Sequence, residues 1–277
     1  MPSAGLRRYV EAVPGEPLPH GILSGCTTII DATDPHELLG TEWRPLSCAE
    51  AHDTTWCPDD DESPGVVPPK DFFRPGFCTA APVTIYAGAE CSTMGLSFAE
   101  ARAHAAETLR MGEQRALEEW LLREVLCTIA EDQTPAAGAI SVVQGIGALE
   151  GWLGTEYGGT GVLHVPAGAA ALLGCCNAVR LIDGTPRTLL GNCVILGAGY
   201  AVNLGPPDCT PADPGEAWLY ATSPIRIRRE QVVPVPDEDR QSVNIRTNDR
   251  RVLAERTFVV EIACCRAAAV RVKLCTD

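Results

Sequence analysis

The chain has 277 residues, of which 45% are hydrophobic and 21% charged. That balance suits one large domain or two interleaved subdomains and excludes a disordered, collagenous or solenoid chain. The net charge of −14 opposes sequence-specific nucleic-acid binding, because such a field repels phosphate, but it does not exclude a container for DNA, whose wall should not stick to its cargo.

No apolar run reaches the roughly 18–20 residues of a membrane helix, so no membrane partner is expected. The opening MPSAGLRRYVEAVPGEPLPHG has two arginines and no apolar stretch behind them, which predicts synthesis and folding in a cytoplasm. Residues 1–80 carry recurrent prolines, among them Pro14, Pro17, Pro19, Pro35, Pro45, Pro64, Pro68 and Pro75. Long helices are excluded there, and PDDDESPGVVPP reads as an exposed acidic loop. Trp43, Trp56, Phe72, Phe73 and Phe77 are scattered through this arm. An extended segment of such length needs a surface to pack on, and the expected surface is a neighbouring subunit.

PVTIYAGAEC (82–91) alternates as a strand. Ser97 and Glu100 then form a capping box at the head of an amphipathic helix. Its apolar positions are Phe98, Ala101, Ala105, Leu109, Ala116 and Trp120, with Leu117, Leu121 and Val125. The helix is expected over about 97–130, on the order of 48 Å long, with Glu107, Arg110, Glu113, Arg115, Glu119 and Arg123 on its polar face. A shorter helix follows in 139–154, then a VLHVP strand, a small AGAAALLGCC helix and a strand–DGTP turn–strand unit. AWLYATSPIRIRRE reads as one strand with an alternating tail, and 250–274 closes the chain as two strands. No composition break separates two domains. The class is α+β.

Catalytic spacings are missing: there is no GxSxG, HExxH, Walker or EF-hand pattern. GAGYAV (197–202) lacks the third glycine of a dinucleotide fingerprint and reads as a tight turn. His164 reads as a hydrogen-bonded structural histidine. No catalytic residue, cofactor or metal is assigned. The lysines are only Lys70 and Lys273, and the remaining basic side chains are arginine, which suits protein contacts as well as reflecting a GC-rich genome. The thirteen cysteines contain no CxxC pair. Cys193 and Cys264 lie in apolar runs and read as small buried hydrophobes. Cys48, Cys57, Cys78 and Cys91 lie in a polar stretch, where late disulfides or a metal clip stay open. A thiol enzyme built on Cys48, His52 and Cys57 is the alternative of a different class.

Three stretches resemble the major capsid proteins of tailed phages that infect actinobacteria. AEARAHAAETLRMGEQRALEEWL (99–121) is similar to that family's spine helix. GGTGVLHVPAGAAALLGCCNAVRLIDGTPRTLLGNCVILGAGY (158–200) is similar to its strand–small helix–strand pair segment. RRVLAERTFVVEIACCRAAAVRVKL (250–274) is similar to its closing strands. Together they span about a third of the chain, and their order and spacing carry the resemblance.

The resemblance implies the Hong Kong 97-type shell fold, shared with encapsulin compartments. Residues 1–50 become an N-terminal arm, 45–90 an E-loop region, 91–160 and 249–277 a P-domain with the spine helix, and 161–248 an A-domain. It implies self-assembly into hexamers and pentamers of an icosahedral virion shell that encloses double-stranded DNA without reading it, assembled in a host bacterial cytoplasm. Decoration, portal and scaffolding proteins are further partners that it allows. The expected inter-subunit contacts are Trp43, Trp56, Phe72, Phe73, Arg74, Phe77, Arg110, Arg115 and Arg123. An encapsulin-like cargo compartment, or another phage head protein, is the alternative. The N-terminus departs from relatives with a charged, cleaved scaffolding segment, so scaffolding is expected to be separate or unnecessary. With two lysines, covalent Lys–Asn crosslinking is not expected, and ordinary contacts, aided by disulfides, are expected to hold the assembly.

Overall fold

The computed structural model describes residues 12–46, 48, 51–54, 70, 72, 74, 76–175 and 177–274. In chain order these form β1 (Thr28–Asp31), β2 (Thr41–Trp43), β3 (Cys78–Ala80), β4 (Pro82–Ser92), α1 (Phe98–Trp120), β5 (Ala130–Asp132), β6 (Ile140–Ser141), α2 (Val142–Glu156), β7 (Val162–Pro166) and α3 (Ala170–Cys175). They continue with β8 (Arg180–Ile182), β9 (Thr185–Arg187), β10 (Cys193–Gly197), β11 (Leu204–Gly205), β12 (Thr210–Pro211), β13 (Glu216–Thr222), β14 (Ile225–Arg229), β15 (Val233–Val235), β16 (Val243–Asn244), β17 (Asp249–Ile262) and β18 (Ala267–Lys273).

The capping box starts α1 as the sequence predicts: Ser97 Oγ accepts from the Glu100 amide at 3.3 Å, and Glu100 Oε2 accepts from the Ser97 amide at 2.8 Å. The helix runs on through a π-helical stretch, Leu121–Leu126, and a last turn, Cys127–Ile129. Its buried side carries Ala101, Ala105, Leu109, Leu117, Leu121, Leu122 and Leu126, and the small alanines let it lie close on β4 and β17. Glu113, placed on the polar face by its charge, is instead buried, as are Gln114 and Glu118.

Two sheets flank this helix. The six-stranded one runs β1-β14-β17-β15, with β4 and β16 also pairing β17. The eight-stranded one runs β5-β18-β13-β7-β10-β9-β8, with β6 also on β18. Along β13, Trp218 and Tyr220 join the core under α1, while Ala217, Leu219 and Ala221 join the core under α2. Both faces of this sheet are thus covered, which is why β13 and β18 read as nearly continuous apolar runs. Gly145 lets α2 press on the sheet, since a Cβ there would lie 2.4 Å from Val272 Cγ1.

The segment expected as one strand with a tail is two. The chain breaks at Ser223–Pro224, where β13 of the larger sheet hands over to β14 of the smaller. The turn from β17 to β18 makes the reverse crossing beside it, and the Ala263 amide donates to Pro224 O at 3.1 Å. Both crossings share one corner.

Two further expectations are corrected. Part of the arm packs on its own chain: Ile22 is fully buried in the core under α1, and β1 pairs in parallel with β14. Cys193 and Cys264 are not free thiols. Cys26 bonds Cys193, Cys48 bonds Cys264, Cys78 bonds Cys265 and Cys127 bonds Cys209, with Cα separations of 5.2–5.9 Å. Cys91 is a free thiol. Cys57, Cys176, Cys275, Trp56, Phe73 and the acidic run at 59–62 lie outside the described residues.

Candidate subunit-contact site

A polar junction fixes the arm to the body. Glu118 is fully buried on α1. Its Oε1 accepts from the Ile22 amide at 2.9 Å, and its Oε2 accepts from the Gly199 amide at 2.8 Å. Burial raises its pKa, and the two backbone bonds pull it back down. One turn earlier, Gln114 Nε2 donates to Leu18 O at 2.9 Å. Gly199 permits the approach, because a Cβ there would sit 2.3 Å from Arg115 O. Beyond it, the Tyr200 hydroxyl bonds His164 Nδ1 at 2.7 Å, and His164 Nε2 bonds Thr222 Oγ1 at 3.1 Å. Burial lowers the His164 pKa to about 3, so the ring is neutral and structural, as the sequence indicates.

A short two-stranded ladder stands apart from the two sheets. β2 and β3 pair antiparallel, with Trp43 opposite Cys78, and residues 44–77 lie between them. Trp43 is half-buried, and its Nε1 donates to Ala263 O at 3.2 Å. Phe77 is 59% exposed, with the Arg44 guanidinium 4.6 Å above its ring. Phe72 is 93% exposed, and Arg74 is exposed too. Both rings are therefore left largely in water by the subunit itself.

The spine arginines form a second group. Arg110 donates to Glu107 at 2.7–2.8 Å and to Gly15 O at 2.6 Å. Arg115 and Arg123 both face Glu119, at 3.9 and 3.1 Å. Each therefore has a carboxylate within its own chain, and all three stay part-exposed. Glu113 pairs instead with Arg256 at 2.9 Å, and burial raises its pKa against the pull of Arg256.

The geometry offers little for catalysis. Among the described residues no cluster of three His, Cys, Asp or Glu side chains is arranged for a metal, and no helix is long and apolar enough to cross a membrane. Cys48 is bonded to Cys264, so the thiol expected of a Cys48–His52–Cys57 nucleophile is not free. A groove of about 530 Å³ on the outer face of the six-stranded sheet is lined by Tyr86, Glu90, Val235, Arg251 and Leu253, without a serine, cysteine, lysine or histidine.

A long helix laid across one sheet and a second sheet packed between two helices are features of the Hong Kong 97-type shell fold, of class α+β. No family model matches the sequence, and no curated relative does. Solved structures do. One titled Microbacterium phage Oxtober96 is 10% identical, with a TM-score of 0.53, covering 95% of this chain and 95% of that one. The capsid of an empty GTA particle is 11% identical, with a TM-score of 0.54 over 96% and 95% of the chains. The holo-SrpI encapsulin complex of Synechococcus elongatus is 12% identical, with a TM-score of 0.55 over 98% and 94%.

Proposed function

We propose that this chain is a structural shell protein, the major capsid protein of a tailed bacteriophage, whose copies assemble into hexamers and pentamers of an icosahedral virion shell around double-stranded DNA. The supporting observation is the likeness in fold, over nearly the whole chain, to a phage structure and a particle capsid. The exposed Phe72 and Phe77 add a surface that a lone subunit leaves uncovered. Residues 1–50 serve as the arm, 45–90 as the E-loop region, 91–160 with 249–277 as the P-domain and 161–248 as the A-domain. Trp43, Trp56, Phe72, Phe73, Arg74 and Phe77 meet a neighbour, and Arg110, Arg115 and Arg123 meet a neighbour's carboxylates. Assembly takes place in the host cytoplasm, and no catalysis is assigned.

Light scattering and negative-stain microscopy of the purified 29.4 kDa chain test this. Megadalton hollow particles are expected; a stable monomer at micromolar concentration refutes it. Removing residues 1–80 is not a clean test, because it strips Ile22 from the core and Cys26 from Cys193. Replacing 49–77 with a short Gly–Ser linker is cleaner: it should leave folded small species, and normal shells from that variant would exclude the hairpin from assembly. An encapsulin-like cargo compartment is the second reading, favoured by the encapsulin likeness. Nuclease-protected DNA in native particles separates the first reading from a protein cargo.

A further inference from the structure

β2 and β3 form a separate two-stranded sheet of three residue pairs, and among the described residues no strand joins it to either main sheet. A ladder this short is marginal by itself in water. Its position therefore depends on what ties it down. Three consecutive residues of the β17–β18 turn do so: Ala263 O accepts from Trp43 Nε1, Cys264 is bonded to Cys48, and Cys265 is bonded to Cys78. The same turn is held to the other crossing by the Cys264 amide donating to Ser223 Oγ at 2.9 Å. Each leg of the hairpin thus has its own covalent tie to the corner where the chain twice changes sheets. Cys265 has φ +54°, a left-handed conformation that costs a cysteine free energy and persists only where its surroundings impose it. The other two disulfides differ. Cys26–Cys193 joins a segment already anchored by Ile22 and Glu118, and Cys127–Cys209 starts from the buried end of the spine.

We propose that the Cys48–Cys264 and Cys78–Cys265 bonds make the hairpin base a redox-set hinge: rigid against the corner when oxidised, and loose, held by the Trp43 bond and a three-pair ladder, when reduced. Closing each bond takes two electrons and two protons from the two thiols and delivers them to a low-molecular-weight disulfide, which leaves as two thiols. Exchange proceeds through a mixed disulfide, and the half-buried Cys48 and Cys265 sulfurs are the accessible points of attack. If the hairpin contacts neighbours, which rests on the shell reading above, subunits made in a reducing cytoplasm can adjust their contacts and become fixed after release into oxidising surroundings.

The full-length protein is equilibrated in oxidised or reduced glutathione buffers. Disulfides are mapped by alkylation and mass spectrometry, and hydrogen exchange is read at Thr41–Trp43 and Cys78–Ala80. Oxidised protein should yield Cys48–Cys264 and Cys78–Cys265 peptides and slow exchange. Reduction should speed exchange in these strands at least tenfold while β4 and β17 change less than twofold. The Cys264→Ser/Cys265→Ser variant should exchange fast even in oxidised buffer, which separates these bonds from the other two; if it does not fold, the wild-type reduction arm decides. Equal exchange in β2 and β3 before and after verified reduction overturns the proposal, and so do unpaired sulfurs in oxidised buffer. All readouts are on the subunit, so they stand or fall separately from particle formation.

Discussion

Glu118→Ala tests how strongly the arm is tied to the spine. Glu118 is fully buried and accepts one hydrogen bond from Ile22 N on the arm and one from Gly199 N beyond β10. Alanine removes both acceptors, and each buried amide left without a partner costs about 1–3 kcal/mol. The expected loss is about 2–6 kcal/mol, a large share of the ~5–15 kcal/mol that holds an ordinary domain. Urea denaturation of dissociated subunits at neutral pH measures it, with hydrogen exchange at Ile22 and Gly199 reporting whether the damage is local. A loss below about 0.5 kcal/mol, with both amides still protected, would refute the keystone role. The carboxyl also has a pH signature. Burial raises its folded pKa above the unfolded value of 4.5, so the native state holds the proton to higher pH than the unfolded chain does. Stability contributed by this group is therefore present below pH 4.5 and falls as pH rises through the folded pKa. Glu118→Gln, which cannot ionise, should remove that slope.

Gly199→Ala puts a methyl 2.3 Å from Arg115 O and 2.5 Å from Glu118 Cβ, so a loss of about 1–3 kcal/mol and a lower unfolding temperature are expected. Arg256→Leu strands the buried Glu113 carboxylate and should cost about 3–5 kcal/mol, while adding Glu113→Leu should recover most of it in the same denaturation assay. His164 titrates at about 3 when folded and 6.5 when unfolded, so its contribution is full above pH 6.5 and declines as pH falls towards 3, by at most about 1.4 kcal/mol per pH unit. A His164→Gln variant should flatten the stability profile between pH 4 and 6; an unchanged profile there would count against a buried neutral ring.

What could be read from the sequence was what local physics determines. Ser97 and Glu100 locate the start of the spine because a capping box is a four-residue signal, and the Asp183–Gly184 turn between β8 and β9 is equally local. Periodicity and turn signals gave the order of the elements, and the resemblance added only the division into arm, E-loop, P-domain and A-domain. The burial of Glu113, Gln114 and Glu118 was hidden because a carboxylate on a helix ordinarily marks the wet face, and only the docking of Ile22, Gly199 and Arg256 reverses that. The sheet change at Ser223–Pro224 was missed because the apolar run of β13 passes directly into the alternating Ile225 and Ile227 of β14. The cysteine pairs close loops of 82–216 residues, and no spacing rule reaches that far. Of the proposed contact residues, Phe72 and Phe77 stood out as aromatics in a polar stretch. The covalent tie at the hairpin base carried no signal beyond four cysteines in two distant regions.

The β4–β17 ladder has a mechanical consequence. Its eleven antiparallel pairs run from Pro82–Val259 to Ser92–Asp249, and β17 then enters the corner that carries both hairpin ties. The ties join the chain just past the end of β17, so for a pull directed along that strand the load enters at its end. The ladder's bonds are then loaded together in shear instead of being unzipped one after another, and the tension continues through β18 into the larger sheet. The subunit behaves under load as a tie rod with a branched anchor, and its resistance to rupture depends on the direction of the force more than on the total number of its bonds.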